Sequence, residues 1–327
     1  MQRRTFSRAA GAALTLGVVG GRSGAQAQEK WPNRLVKIVV GFPPGQSSDT
    51  SARMFGEQLH RLLGQTFVVE NRPGAGATLA AASIATAPKD GYAMALTSNG
   101  PLAIAPHLYK NLSYDPRKDF AIASTIAQAP LLITVNAASR FKTLQGLVSA
   151  GRAANQITYG SGGNGVTSHL AVKMFETATG TSYTHIPYKG TAPALNDLLG
   201  DRIDFTMESP APLLPLVRDG KLRVLATTGS ARYSELPDVP AVSESFPGFE
   251  AASWTAFAFP AGTPAAIVER LNDEVKRLLE TPEFAQRMRT TGVEPFYKGS
   301  PDACGRFLDA EYAKWGDVVR RGEITLD

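Results

Sequence analysis

The chain has 327 residues, 34 Lys and Arg against 29 Asp and Glu, 43% hydrophobic side chains and one cysteine. That length suffices for two domains of ordinary size, and Cys304 alone excludes an intrachain disulfide. The formal charge of +5 nearly vanishes once the leader described next is removed, which excludes the basic field that a nucleic-acid partner requires.

Arg3 and Arg4 open a basic start, Phe6 and Arg8 follow, and positions 9–21 form a small apolar run ending before the small-x-small site Ala25-Gln26-Ala27. This is the order of a secretory signal peptide over 1–27, with the mature chain beginning near Gln28 and located in the periplasm. The run is shorter and poorer in large apolar side chains than the roughly 20 residues a spanning helix needs. Arg3-Arg4 with Phe6 resembles a twin-arginine export signal, from which Gln2, Ser7 and Arg8 depart; general secretion is the alternative route. Arg3, Arg4, Arg8 and Arg22 leave with the leader, so 30 basic side chains face 29 acidic ones.

The mature chain then alternates. A β-branched run at 35–40 predicts a strand that ends in Gly41-Phe42-Pro43-Pro44-Gly45. Ala52, Phe55, Leu59 and Leu62 recur at helical spacing, with Ser47 and Ser48 as candidate caps and Gly64 as the stop. A strand at 67–69, an Ala-rich helix after the 71–76 loop, a turn at 88–91 and a strand at 92–97 follow, the last opening into Ser98-Asn99-Gly100. The same order returns at 157–159, where a strand runs into Gly160-Ser161-Gly162-Gly163-Asn164-Gly165 and a helix carrying Leu170, Met174 and Phe175. Strands are expected at 184–186, 203–207 and 222–227, with a helix capped by Thr191 between the first two. The last third reads as helices started by Thr263-Pro264, Thr281-Pro282 and Ser300-Pro301, with proline at the first helical position. Strand, polar loop and helix in repetition indicate an α/β protein with mostly parallel sheets.

In open α/β sheets ligands collect where strand ends lead into helix N-termini, and unpaired N–H groups with the helix dipole favour an anion there. Two loops suit that task. Positions 41–49 offer rigid prolines, Gly45, and Ser47, Ser48 and Asp49 at the helix start. Positions 161–167 offer three glycines able to turn successive N–H groups into one concavity, with hydroxyls at Ser161, Thr167 and Ser168. One such loop in each half of the chain suggests a single ligand held from both sides.

An ordered set of motifs then spans almost the whole mature chain. It runs Trp31-Pro32, Gly41-Phe42-Pro43-Pro44-Gly45 with Asp49, Val69-Glu70-Asn71-Arg72-Pro73-Gly74, and Lys89-Asp90-Gly91-Tyr92. It continues through Tyr114-Asp115-Pro116, Gly160-Ser161 with His169-Leu170, Ile186-Pro187-Tyr188-Lys189-Gly190, Leu236-Pro237-Asp238, Trp254 and Pro260-Ala261-Gly262-Thr263-Pro264. Together these resemble the substrate-binding receptors of tripartite tricarboxylate transporters, the Bug family. The resemblance implies a type II periplasmic-binding-protein fold: two α/β lobes, 28–126 plus 252–327 and 127–251, joined by crossing strands with a ligand cleft between them. It implies a monomeric, non-enzymatic receptor, without metal or cofactor, that captures a small carboxylate for a membrane transporter. Phe42, Pro44, Gln46, Ser47 and Asp49 with Ser161, Gly162, Gly163, Gly165 and Thr167 would hold the carboxylate, and Ser98, Asn99, Glu208 and Ser209 would line the rest. Gln46 stands where the family usually has a second glycine, which bears on specificity, and Lys173 stands where an acid is common and is expected on helix surface. Glu208 would disfavour a second carboxylate.

Other readings compete. A ligand-loaded partner of a membrane sensor kinase would show the same binding, and a periplasmic hydrolase could use Ser161 or Ser168 with His169, although neighbours on a helix point apart. The four histidines have no metal-ligand spacing. His169 is expected to cap or to hydrogen-bond in the core, Cys304 to be a buried thiol, and the three tryptophans to pack. Gly74-Ala75-Gly76 lacks the third glycine of a dinucleotide fingerprint, where Leu79 stands.

Overall fold

The computed structural model describes residues 30–153 and 156–324; the signal-peptide expectation for 1–27 lies outside them. Numbered in chain order, the strands are β1 (Val36–Val40), β2 (Phe67–Asn71), β3 (Ala93–Ser98), β4 (Phe120–Pro130), β5 (Leu132–Asn136), β6 (Thr158–Ser161), β7 (Thr184–Pro187), β8 (Phe205–Glu208), β9 (Leu222–Thr227), β10 (Ala252–Pro260) and β11 (Glu294–Pro295). They form two sheets, ordered β11-β4-β10-β3-β1-β2 and β7-β6-β8-β5-β9.

The sheets are mixed rather than mostly parallel. β1 pairs in parallel with β2 and β3, and β6 with β7 and β8, each through a helical crossover. β10 runs antiparallel to β3 and β4, and β5 antiparallel to β8 and β9. The reason is that β4 passes through Leu131 straight into β5 in the other sheet, with no crossover helix to return it. Register shifts between Thr255 and Ala256 and between Phe257 and Ala258 insert extra residues into β4. Such bulges erase the period-2 pattern, which is why this strand has no alternating signature.

Each sheet is covered on both faces. On the first, Ile38, Phe55, Phe257 and Val275 pack on one side and Ala95, Leu102, Trp254 and Trp315 on the other. On the second, Val135, Tyr159, Phe175 and Phe205 face Leu132, Leu198 and Leu213 across the strands. Cys304 is fully buried, and burial pushes its thiol up. No described helix is long and apolar enough to cross a membrane.

The helices that position the site begin at α1 (Ser47–Leu63); α2 (Thr78–Ala85), α3 (Ala105–Leu108) and α4 (Leu144–Arg152) follow. Next come α5 (Thr167–Thr179), α6 (Thr191–Leu199), α7 (Pro210–Arg218), α8 (Ala265–Leu279), α9 (Pro282–Thr290) and α10 (Pro301–Arg321). Several expected caps are displaced. Ser47 and Thr191 are the first helical residues, after Gln46 and Gly190, and Pro264 takes the capping position because the Thr263 hydroxyl donates to Pro260 O at 2.8 Å. Ser300 caps α10 as expected, accepting from Ala303 N.

Candidate functional site

Between the two sheets lies a cavity of about 190 Å³, lined by Phe42, Ser47, Ser48, Ser51, Ser98, Asn99, Thr167, Ser209 and by the crossing strands at Ala127–Ala129 and Ser253–Thr255. Among the described residues, none that lines it carries a charge. Three helices start on it. Ser47 opens α1, Thr167 opens α5, and Ser209 precedes α7. At all three the capping position (Gln46, Val166 and Ser209) makes no side-chain capping bond. First-turn N–H groups have no intrahelical partner, so this neutral cavity collects the positive ends of three helix dipoles, each worth about half an elementary charge.

The first loop is held from behind. The Asp49 carboxylate is 3% exposed and accepts from Gly45 N at 2.9 Å, from Arg53 Nε and Nη2 at 3.0 and 2.9 Å, and from Asn71 Nδ2 at 2.9 Å. The Arg53 guanidinium, helped by Gly45 and Asn71, holds this carboxyl down at about 2. Asn71 Nδ2 also donates to Phe42 O at 2.9 Å, so the Glu70-Asn71-Arg72 motif at the end of β2 buttresses the loop. Gly41 begins the loop against Ala77, and a Cβ at 41 would lie 2.8 Å from Ala77 Cα.

The glycine loop was expected to aim its N–H groups at a ligand, but three of them are used internally. Gly162 N donates to Ser168 Oγ at 3.4 Å, Gly163 N to Ser161 Oγ at 3.2 Å, and Gly165 N to His169 Nδ1 at 3.1 Å. The first-turn amides of α5, which starts at Thr167 without a side-chain cap, have no intrahelical partner. Thus Phe42, Ser47, Ser98, Asn99, Thr167 and Ser209 line the cavity, while Pro44, Gln46, Asp49, Ser161, Gly162, Gly163, Gly165 and Glu208 do not. Gly165 lines an adjoining space. Pro44 and Gln46 are exposed.

His169 and His185 stack behind this loop, 4.0 Å between centroids and 9° from parallel, with Tyr159 4.8 Å from His185. Ser161 Oγ, fully buried, lies 2.7 Å from His185 Nε2 and donates to Gly163 O at 2.9 Å. A hydroxyl has one proton; with that proton given to Gly163 O, the His185 nitrogen is the donor to Ser161 Oγ. Ser161 is therefore paired with His185 rather than His169, and the pairing braces the loop. Desolvation, with the neighbouring charge of His185 and of Lys173, lowers His169 to about 3, and desolvation with Lys173 lowers His185 to about 4. Lys173 itself pairs with Glu176 at 2.8 Å. Glu208 is 6% exposed with Oε1 unpartnered; burial pushes its carboxyl up, and the nearby Ser168 and Thr191 hydroxyls and Ser209 and Gly162 amides only partly oppose this.

Sequence reasoning missed Ser51, Gln128, Ser253, Thr255 and Val293 as lining residues. Ser51 was reachable, since it stands one turn after Ser47 on α1; the others sit on or beside the unrecognised strands β4 and β10. Trp254 both packs and lines. Its Nε1 donates to Glu311 Oε2 at 2.8 Å, as does Trp315 Nε1 at 2.9 Å, which turns the polar edge of the indole away from the cavity. Among the described residues no three His, Cys, Asp or Glu side chains are grouped to hold a metal ion.

Residues 51–324 match the model of the tripartite tricarboxylate transporter family receptor. Among solved structures, the chain is similar to an R. palustris protein solved with adipate, at 35% identity and TM-score 0.80, covering 90% of this chain and 100% of that one. It is similar to the periplasmic binding protein BugD, at 32% identity and TM-score 0.76 over 90% and 100%. It is also similar to MatC of Rhodopseudomonas palustris, solved with malate, at 30% identity and TM-score 0.74 over 88% and 100%.

Proposed function

The chain belongs to the tripartite tricarboxylate transporter receptor family, a family of binding proteins rather than enzymes, and from that premise we propose that it captures a small organic acid in the periplasm and delivers it to a membrane transporter. The observation that carries this reading is the meeting of three helix N-termini without side-chain caps on a cavity whose described lining residues are all uncharged. A carboxylate there gains the dipole ends and the orphan N–H donors, while the Ser and Thr hydroxyls adjust to its second oxygen. Adipate and malate in the similar proteins are small acids of this class. Phe42, Ser47, Ser98, Asn99, Thr167 and Ser209 contact the ligand. Asp49, Ser161, Gly162, Gly163, Gly165 and Glu208 shape the loops behind it. The lobes 28–126 plus 252–327 and 127–251 close about β4 and β10, and a leader cleaved after Ala27 directs export; the Arg3-Arg4 pair supports the twin-arginine route.

The test is a thermal-shift panel of mono-, di- and tricarboxylates, amino acids and aromatic acids on purified protein. A ligand at a hundredfold excess over its dissociation constant should add about 2.7 kcal/mol of stability. Absence of a shift with every organic acid would overturn the reading.

A further inference from the structure

The cavity just described does not end at Asn99 and Thr167. A second space of about 180 Å³ shares Phe42, Ser98, Asn99 and Thr167 with it and extends to Ile104, Leu108, Tyr109 and Val166. Two of the four shared residues are joined across the cleft by a hydrogen bond, Asn99 Nδ2 to Thr167 Oγ1 at 3.4 Å. Asn99 follows β3 of the first sheet and Thr167 opens α5 of the second. The bond is long, near the outer limit for a useful one, so it can be broken at small cost.

The two chambers differ chemically. The first carries the hydroxyls of Ser47, Ser48, Ser51, Ser209, Ser253 and Thr255 and three helix starts. Beyond the shared residues, the second is lined by Ile104, Ala105, Leu108, Tyr109 and Val166, with Asn164 its one further polar side chain besides the Tyr109 hydroxyl, and no described lining residue is charged. Val166 and Tyr109 are 39% and 37% exposed, two of the few large apolar side chains left open to water among the described residues. An apolar surface inside a ligand cleft is suited to an uncharged tail, not to a second carboxylate.

We propose that the Asn99–Thr167 bond is a length gate: the hydroxyl-lined chamber takes the carboxylate of a monocarboxylic acid, the apolar chamber takes its tail, and the closed bond limits binding to acids that fit the first chamber alone. This rests on the carboxylate-receptor reading and adds the ligand's second end and the residues that set its length. A cavity of about 150 Å³ holds benzene, so the first chamber holds an acid of about four to six carbons. Opening the gate roughly doubles the space. Each methylene newly buried in the second chamber should then improve affinity about fourfold.

The experiment is calorimetric titration of the full mature protein with straight-chain monocarboxylates from propionate to decanoate, and with dicarboxylates of matched length. Wild type, Asn99→Ala and Thr167→Val are compared, each first checked for a cooperative thermal transition. Wild type should peak at a short acid. Both variants should move the optimum to acids two to four carbons longer, with octanoate gaining at least tenfold over butyrate. Thr167→Val keeps the side-chain shape, so it reads the bond even where Asn99→Ala folds poorly. The same optimum in wild type and Thr167→Val overturns the gate while leaving the receptor reading intact. A dicarboxylate that binds more tightly than its matched monocarboxylate overturns the uncharged tail. Failure of wild type to bind any acid overturns both readings.

Discussion

Acid should loosen this protein through two imidazoles before it reaches the carboxylates. His169 and His185 are held at about 3 and about 4 against an ordinary 6.5. A depressed histidine is neutral in the fold, so as pH falls below 6.5 the unfolded chain takes up protons that the fold refuses. Stability is then complete above pH 6.5 and is lost as pH falls toward the folded values. Between pH 7 and pH 5 linkage gives about 2 kcal/mol for the buried His169 and, after allowance for solvent around the half-buried His185, about 1 kcal/mol more. The perturbation is His169→Gln or His185→Gln, because an amide can keep a hydrogen bond to Gly165 N or Ser161 Oγ without titrating. The assay is urea denaturation at pH 7, 6 and 5. The stability difference between wild type and His169→Gln should change by about 2 kcal/mol across that range, in the direction that makes the variant relatively better in acid. His107, also lowered by burial, cancels in the comparison. A difference that stays constant with pH would refute the assignment of neutral imidazoles to the glycine loop.

Three further outcomes follow from the same contacts. Glu208→Gln should stabilise the fold at pH 7: a carboxyl raised by burial loses stability as pH rises above its ordinary value, and the amide does not, so thermal melts of the two should converge in acid and diverge as pH rises to 7. Asp49→Ala removes the acceptor of Gly45, Arg53 and Asn71 and should cost about 2 kcal/mol together with roughly tenfold in ligand affinity, read by melting and calorimetry. Glu311→Ala strands the indole N–H groups of Trp254 and Trp315 and should cost about 3 kcal/mol in urea denaturation, with Glu311→Gln recovering part of it.

The sequence was most readable where local chemistry alone decides conformation. Gly45 at a left-handed turn and Gly64 as the stop of α1 are visible as letters. So are the strand–loop–helix orders around Val40 and Ser161, because hydrophobic period and turn residues act over a few positions. The motifs from Trp31 to Pro264 placed the chain in its family for the same reason. Residues such as Asn71 must buttress a particular loop, and that requirement leaves a fixed pattern.

Direction and partnership were not readable in that way. Whether Gly162 and Gly165 offer their N–H groups outward or to Ser168 and His169 depends on what stands behind the loop. His185 arrives there only because β7 pairs with β6, which brings it to Ser161 from 24 residues away in the chain. The strands β4 and β10 that floor the cavity are buried along nearly their whole length and broken by bulges, so they carry no period to detect. The local letters were enough for the family and for the strand–loop–helix units around Val40 and Ser161, but not for β4 and β10. Which donors remain free was settled by tertiary packing, since a hydrogen bond is spent or spared by a neighbour from any distance along the chain.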